Sequence, residues 1–162
     1  MKAIVTGSFD PITLGHMELI KYACERYDQV YVVALVNETK EYMFTMEQKK
    51  ALIEKAISGF GNAVADAYLG LTADYMHSHG ITRIIRGVRN EQDMEYEKIL
   101  SEKMKEFDSS FETEIIVCKS EYANISSTSV RKRLREGKGI EDFLPKSIIP
   151  QIKEFHIENT TK

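Results

Sequence analysis

The chain has 162 residues, 43% hydrophobic and 29% charged, the length and mix of one soluble globular domain. Twenty-two Lys and Arg stand against 25 Asp and Glu, a net charge of −3, which argues against holding nucleic acid through a general basic excess. Any anionic ligand must therefore meet a local cluster of positive groups. No apolar stretch approaches the roughly 20 residues of a membrane span, and the first residues lack the layout of a secretion signal. A cytoplasmic protein is expected, with neither nucleic acid nor membrane as partner. Cys24 and Cys118 belong to no C-x-x-C pair and sit in apolar runs, so two buried free thiols are expected.

Residues 3–6 form a short apolar run stopped by Gly7, the first strand. Ile20, Ala23, Cys24 and Tyr27 then recur at helical spacing within 17–27. Residues 30–36 (VYVVALV) are continuously apolar, as a strand covered on both faces is. Thr45-x-x-Gln48 reads as a capping box, followed by Ile53, Ala56, Ile57 and Phe60 at helical spacing. A strand is predicted at 63–68, a short helix capped by Thr72 and running to about His79, and a strand at 82–86. Within 91–107, Tyr96, Leu100, Met104 and Phe107 share one helical face. Residues 114–118 (EIIVC) read as the last strand and 126–135 as a helix, and Leu144-Pro145 breaks the chain before a terminal helix near 147–156.

Strands alternating with helices imply an α/β fold, a Rossmann-like, doubly wound, five-stranded parallel sheet with helices on both faces. One domain is expected over 1–158, with 159–162 a frayed tail. In such a sheet ligands bind beyond the carboxyl ends of the strands, where strand order reverses. The segments to inspect are therefore 6–16, 37–44, 69–72, 86–97 and 119–129.

Two nucleotide motifs fail. The G-x-G at Gly59–Gly61 lacks a third glycine and follows a helix, and no G-x-x-x-x-G-K-[ST] occurs. The first strand–helix junction, TGSFDPITLGH at 6–16, is richer. Gly7 permits a close turn, Ser8 offers a hydroxyl, Phe9 a backbone N–H, and Pro11 stiffens the loop. Thr13 and His16 fall one turn into a helix whose N-terminus favours anions, where a histidine can donate to a phosphoryl oxygen. The plainer alternative is a small-residue turn with a capping histidine.

GSFDPxTxGH resembles the signature of the nucleotidyltransferase superfamily with a T/H-x-G-H motif. IIRGVRNEQDMEYE at 84–97 and SEYANISSTSVR at 120–131 are similar to two further blocks of one branch, the bacterial phosphopantetheine adenylyltransferases: R-G-x-R followed by D-x-E-Y-E, and E-Y/W-x-x-I-S-S-S before a helix. The likeness runs from about residue 2 to about residue 150.

The resemblance implies reversible transfer of AMP from Mg·ATP to 4′-phosphopantetheine, giving dephospho-coenzyme A and pyrophosphate without a covalent intermediate. It implies that Ser8, Lys40, Thr72 and Arg86 bind the acceptor. It places Ser8, Phe9, His16, Gly87, Val88, Arg89 and Glu97 on ATP, with Tyr122, Ala123, Asn124, Ile125, Ser126, Ser127 and Thr128 wrapping the triphosphate. His16, Lys40 and Arg89 would be the catalytic set. It further implies Mg²⁺ bound with the ATP phosphates, a homohexamer, and coenzyme A as feedback inhibitor. The chain departs from the family pattern at Thr6, where proline is usual, at Glu38 and Glu41, and at Thr128, which replaces a third serine. An enzyme with nicotinamide mononucleotide as acceptor, or a non-catalytic nucleotide-sensing module, are the alternatives.

The residue types fit that chemistry on their own terms. Joining a phosphate monoester to the α-phosphorus of ATP needs two polyanions held in line, not a protein nucleophile. Lys40, Arg86 and Arg89 supply charge, arginine as a bidentate fork and lysine as a point charge. No acidic cluster suggests a protein cage for Mg²⁺, so the ion is expected to ride on the phosphates. Ordinary readings cover the rest. Arg83 suits a salt bridge, and the plainer alternative for Glu95 and Glu97, which flank Tyr96, is a solvent-facing carboxylate. His77 and His79 point opposite ways on a helix, and His156 is inert. The basic run Arg131-Lys132-Arg133 with Arg135 flanks a triphosphate site.

Overall fold

Strand order decides where this molecule can hold a ligand. The computed structural model describes residues 1–161. Five strands, β1 (Lys2–Gly7), β2 (Gln29–Val36), β3 (Ala63–Leu69), β4 (Arg83–Val88) and β5 (Glu112–Val117), lie all parallel in the order β3-β2-β1-β4-β5. Successive connections run outward in one direction from β1 and in the other from β4. The order reverses between these two, and their carboxyl-end loops part there to leave a crevice.

Six helices cover the sheet: α1 (Leu14–Arg26), α2 (Met46–Ala56), α3 (Thr72–His79), α4 (Glu91–Phe107), α5 (Ser127–Arg135) and α6 (Ile149–Thr160). Alternate strand residues point to opposite faces, so one run of apolar residues serves two cores. Val5, Val32 and Ile85 pack with Ile20 of α1, Ile53 of α2, Val130 of α5 and Ile152 of α6. Ile4, Val33 and Ile84 pack with Tyr75 and Met76 of α3, Phe111 and the half-buried Met104 of α4. The doubly wound sheet expected from the alternation is thus present.

Several boundaries move for physical reasons. The apolar face read over 17–27 belongs to a helix that begins at Leu14, with Thr13 as its cap rather than a residue one turn inside, because Thr13 and His16 close a capping box around its first turn. The Thr45–Gln48 box forms as predicted, with Gln48 N donating to Thr45 Oγ1 at 3.1 Å. Thr72 is the first helical residue of α3, not its cap, which is Leu71 with no side-chain bond. In α4 the apolar face is turned away from its expected aspect. Leu100 and Met104 are half-buried, but Tyr96 and Phe107 are exposed, and the helix's buried residue is Glu97. An ion pair to β4, described below, sets that rotation.

The expected frayed tail is corrected at 159 and 160, which lie in α6. Asn159 Nδ2 donates to Met43 O and to Gln48 Oε1, each at 2.8 Å, and docks the helix end. Residue 162 lies outside the described residues. Both cysteines are free, though half-buried rather than buried. Among the described residues no helix is long and apolar enough to cross a membrane.

Candidate active site

The loop between β1 and α1 is held on both sides before any ligand arrives. Phe9 has a left-handed backbone (φ 43°), which a bulky residue adopts only when its surroundings enforce it. Its buried ring meets the His16 imidazole edge to face, centroids 4.8 Å apart. The next residue, Asp10, is buried and accepts from the backbone N–H of Met43 at 2.9 Å and of Phe44 at 3.0 Å. Arg131 Nη1 donates to Asp10 O at 2.8 Å from α5. The first loop, the loop after β2 and α5 are thereby locked together.

His16 has its tautomer set by the helix start. The Thr13 backbone N–H donates to His16 Nδ1 at 3.0 Å. A ring nitrogen that accepts carries no proton, so neutral His16 carries its proton on Nε2, free for the cleft. Burial first, and then the Arg86 and Arg89 charges, lower its pKa to about 4. At neutral pH the ring is an uncharged N–H donor.

The cleft beside it is a cavity of about 370 Å³. Thr13, His16 and Leu19 enter it from α1, Gly87 and Arg89 from β4 and its exit, and Asp93, Tyr96 and Glu97 from α4. Cys118 follows β5, and Tyr122, Ile125, Ser126 and Ser127 bring in the start of α5. Both α1 and α5 therefore present N-termini here, where partial positive charge favours phosphate. Ser126 caps α5 by accepting from Ser129 N at 3.1 Å, and Ser127 Oγ donates to Pro11 O at 2.7 Å. Arg89 is steadied by Asp93, whose Oδ2 accepts from its backbone N–H at 2.9 Å and its Nε at 3.3 Å.

A smaller chamber of about 100 Å³ opens beyond β4, lined by Thr6, Thr72, Arg86, Glu97, Leu100 and Met104 among others. Arg86 grips Glu97 with both prongs, Nε to Oε2 at 3.0 Å and Nη2 to Oε1 at 2.8 Å. Its Nη1 donates to Thr6 O at 3.0 Å and Thr6 Oγ1 at 2.9 Å. Glu97 is 5% exposed and lines both chambers, so this pair forms the partition between them. The plainer alternative for Glu97, a solvent-facing carboxylate, does not hold. A buried carboxylate must be paired, and a bidentate arginine on the neighbouring strand pairs it.

The sequence-predicted residues divide accordingly. His16, Gly87, Arg89, Glu97, Tyr122, Ile125, Ser126 and Ser127 gather around the larger cavity, and Thr72 and Arg86 around the smaller. Ser8, Phe9, Val88, Ala123, Asn124 and Thr128 line neither: Phe9 and Val88 are buried as support, and Thr128 Oγ1 accepts from Arg131. Lys40 also lines neither, lying on the exposed turn after β2 with its backbone N–H on Asn37 O. Sequence reasoning missed Thr6, Leu19, Asp93 and Cys118 as lining residues. Thr6 and Asp93 fall within the segments 6–16 and 86–97 marked for inspection, whereas Leu19 and Cys118 carried no signal. The ordinary readings of Arg83 and His77 match the structure, Arg83 on Glu112 at 3.0 Å and His77 on Asp108 at 2.7 Å. His79 turns instead to stack on Tyr75. Among the described residues no three His, Cys, Asp or Glu side chains gather as a metal cage.

Comparison with known proteins reaches the same region of the chain. Residues 4–133 match the family model described as cytidylyltransferase-like. A phosphopantetheine adenylyltransferase from Clostridium novyi (strain NT) is 39% identical over 150 residues, covering 93% of each chain. One from Staphylococcus carnosus (strain TM300) is 36% identical over 153 residues, 94% of this chain and 95% of the relative. Among solved structures, a bifunctional NMN adenylyltransferase/ADP ribose pyrophosphatase from Francisella tularensis, complexed with AMP and manganese, superposes with a TM-score of 0.71 at 14% identity. That match covers 99% of this chain and 49% of the bifunctional one, and at that identity it shows the fold alone.

Proposed function

The chain belongs to the cytidylyltransferase-like family and, within it, to the phosphopantetheine adenylyltransferases, and from that premise we infer how its two chambers carry out adenylyl transfer in coenzyme A biosynthesis. ATP occupies the larger cleft, its phosphates between His16, Arg89 and the N-terminus of α5. The acceptor, 4′-phosphopantetheine, enters from the side of Thr72 and Arg86, with Ser8 and the exposed Lys40 reaching its phosphate. A phosphate oxygen of the acceptor attacks the α-phosphorus of ATP, the new P–O bond forms, and the bond to pyrophosphate breaks on the opposite side. No covalent enzyme intermediate is required, only alignment and charge stabilisation.

The observation that carries this reading is His16. Its Nδ1 is consumed by the Thr13 N–H, and Nε2–H is left as a fixed donor at the cleft. A preset donor of this kind stabilises charge that grows on the α-phosphate oxygens in the transition state. Mg²⁺ is expected to come in on the ATP phosphates, shielding their charge; the donor set here suits an ion held by the substrate, with His16 and the arginines on other oxygens. A cytoplasmic homohexamer under coenzyme A feedback is the assembly proposed by likeness to the family.

The test is pyrophosphate release from Mg·ATP with 4′-phosphopantetheine, with nicotinamide mononucleotide as a parallel acceptor. Release is expected with 4′-phosphopantetheine alone, and added coenzyme A should slow it. His16→Ala should lower kcat by roughly 10²–10³. Near wild-type turnover in that variant would remove the role given to His16. Release with nicotinamide mononucleotide alone would replace the acceptor.

A further inference from the structure

We propose that Thr6, at the end of β1, is a positioning residue for the acceptor: it holds the third corner of the Arg86 guanidinium and so fixes the direction in which that cation meets the incoming phosphate. The proposal rests on the adenylyl-transfer reading above. The β1–β4 ladder pairs Ala3, Val5 and the residue between them with Arg83–Ile85 and then stops. At the next step no β4 residue is paired with Thr6. The Arg86 side chain takes that carbonyl, at 3.0 Å, and the hydroxyl of the same residue, at 2.9 Å, through one nitrogen.

The geometry matters because Glu97 alone does not fix the fork. Two parallel bonds to one carboxylate hold the guanidinium in a plane but let it rock against α4. The Thr6 contacts tie the remaining nitrogen to the sheet itself. Arg86 is then braced between α4 and β1, with one Nη2 hydrogen unspent, in the wall of the chamber that Thr6 also lines. Thr6 needs no substrate contact of its own for this. It acts through Arg86, and its effect should fall on the acceptor and spare the nucleotide, since Thr6 lies outside the larger cleft.

The experiment is steady-state kinetics on Thr6→Val, which keeps shape and strand preference while deleting the hydroxyl, with Thr6→Ser as the conservative restoration. Hydrogen bonds to charged groups are among the stronger ones, and the Thr6 carbonyl and Glu97 remain, so the KM for 4′-phosphopantetheine should rise about fivefold to tenfold in Thr6→Val. The KM for ATP and the melting midpoint should stay close to wild type, and Thr6→Ser should recover the acceptor KM. In an Arg86→Lys background Thr6→Val should add little, because a residue that acts through another is not additive with it.

Equal rises in both KM values, an unchanged acceptor KM, or a Thr6→Ser variant as impaired as Thr6→Val would each overturn the positioning role while leaving the enzyme's activity standing. Wild-type enzyme that uses only a different acceptor would overturn the acceptor assignment, and the same KM comparison is then made with the acceptor it uses. Should Thr6→Val fail to fold, Thr6→Ala serves as the hydroxyl-free variant.

Discussion

His16 divides two tasks between its two ring nitrogens. Nδ1 closes the first turn of α1, and Nε2 is left for chemistry. One side chain therefore meets the plain reading of a capping histidine and keeps its other nitrogen for the proposed role of phosphate donor. The Thr-x-x-His spacing was legible in the sequence. The division of labour was not, because it depends on which nitrogen meets the Thr13 N–H. A consequence follows for pH. The folded pKa of about 4 lies below the ordinary 6.5, so between these values the unfolded chain binds a proton that the folded chain does not. Stability attributable to this group is full above pH 6.5 and falls as pH drops towards 4. His16→Gln keeps a capping side chain at the third helical position, so it should remove this dependence without removing the cap. Urea titrations at pH 7 and pH 5 should show wild type losing more stability than His16→Gln. An equal loss in both would contradict the depressed pKa.

At the scale of elements, order and type were readable and contact faces less so. Apolar periodicity located each strand and helix, because burial against the sheet is what produces that periodicity. It misjudged α4. The pattern of Tyr96, Leu100, Met104 and Phe107 described a stripe, but Arg86 on β4 drew Glu97 inward and turned the helix. A buried ion pair across elements leaves no local periodic trace. Gly87 is similar: its role was assigned by motif, yet its physical reason is close approach. A Cβ there would stand 2.7 Å from Leu19 Cδ1 and 3.3 Å from Cys118 Sγ, both cleft-lining residues. The tip of Leu19 can move aside, and the cavity is where it would go. Gly87→Ala should therefore raise the KM for ATP roughly tenfold, the scale of one methyl group in a fitted pocket, with little change in melting temperature. Unchanged ATP affinity would show that the cleft has room to spare at that wall.

For the whole molecule, the rotation of α4 has an outward counterpart. Tyr96, Ile99 and Phe107 are left exposed at 61%, 51% and 52%, and Leu71 at the start of α3 at 65%. Apolar side chains spaced along one helix are a surface that association covers. Copies of the same chain are the occupants that the proposed homohexamer would bring to it. Sedimentation velocity at micromolar concentration should give a single species near six times the chain mass, and a monomer there would remove the proposal. None of this was visible in the sequence, where Tyr96 and Phe107 counted towards the buried face of the helix and Ile99 and Leu71 carried no signal.

Asp10 has a consequence for how the protein can change over generations. By binding the Met43 and Phe44 N–H groups it re-anchors the chain just downstream of the exposed turn that carries Lys40. The turn is thus fastened at both ends, by β2 behind it and by Asp10 ahead. Insertions, deletions and charge changes between those fastenings are insulated from the nucleotide cleft. Glu38 and Glu41 sit inside that insulated stretch. On the acceptor role proposed for Lys40, a lineage can retune that contact there, one residue at a time, while the machinery for ATP is inherited intact.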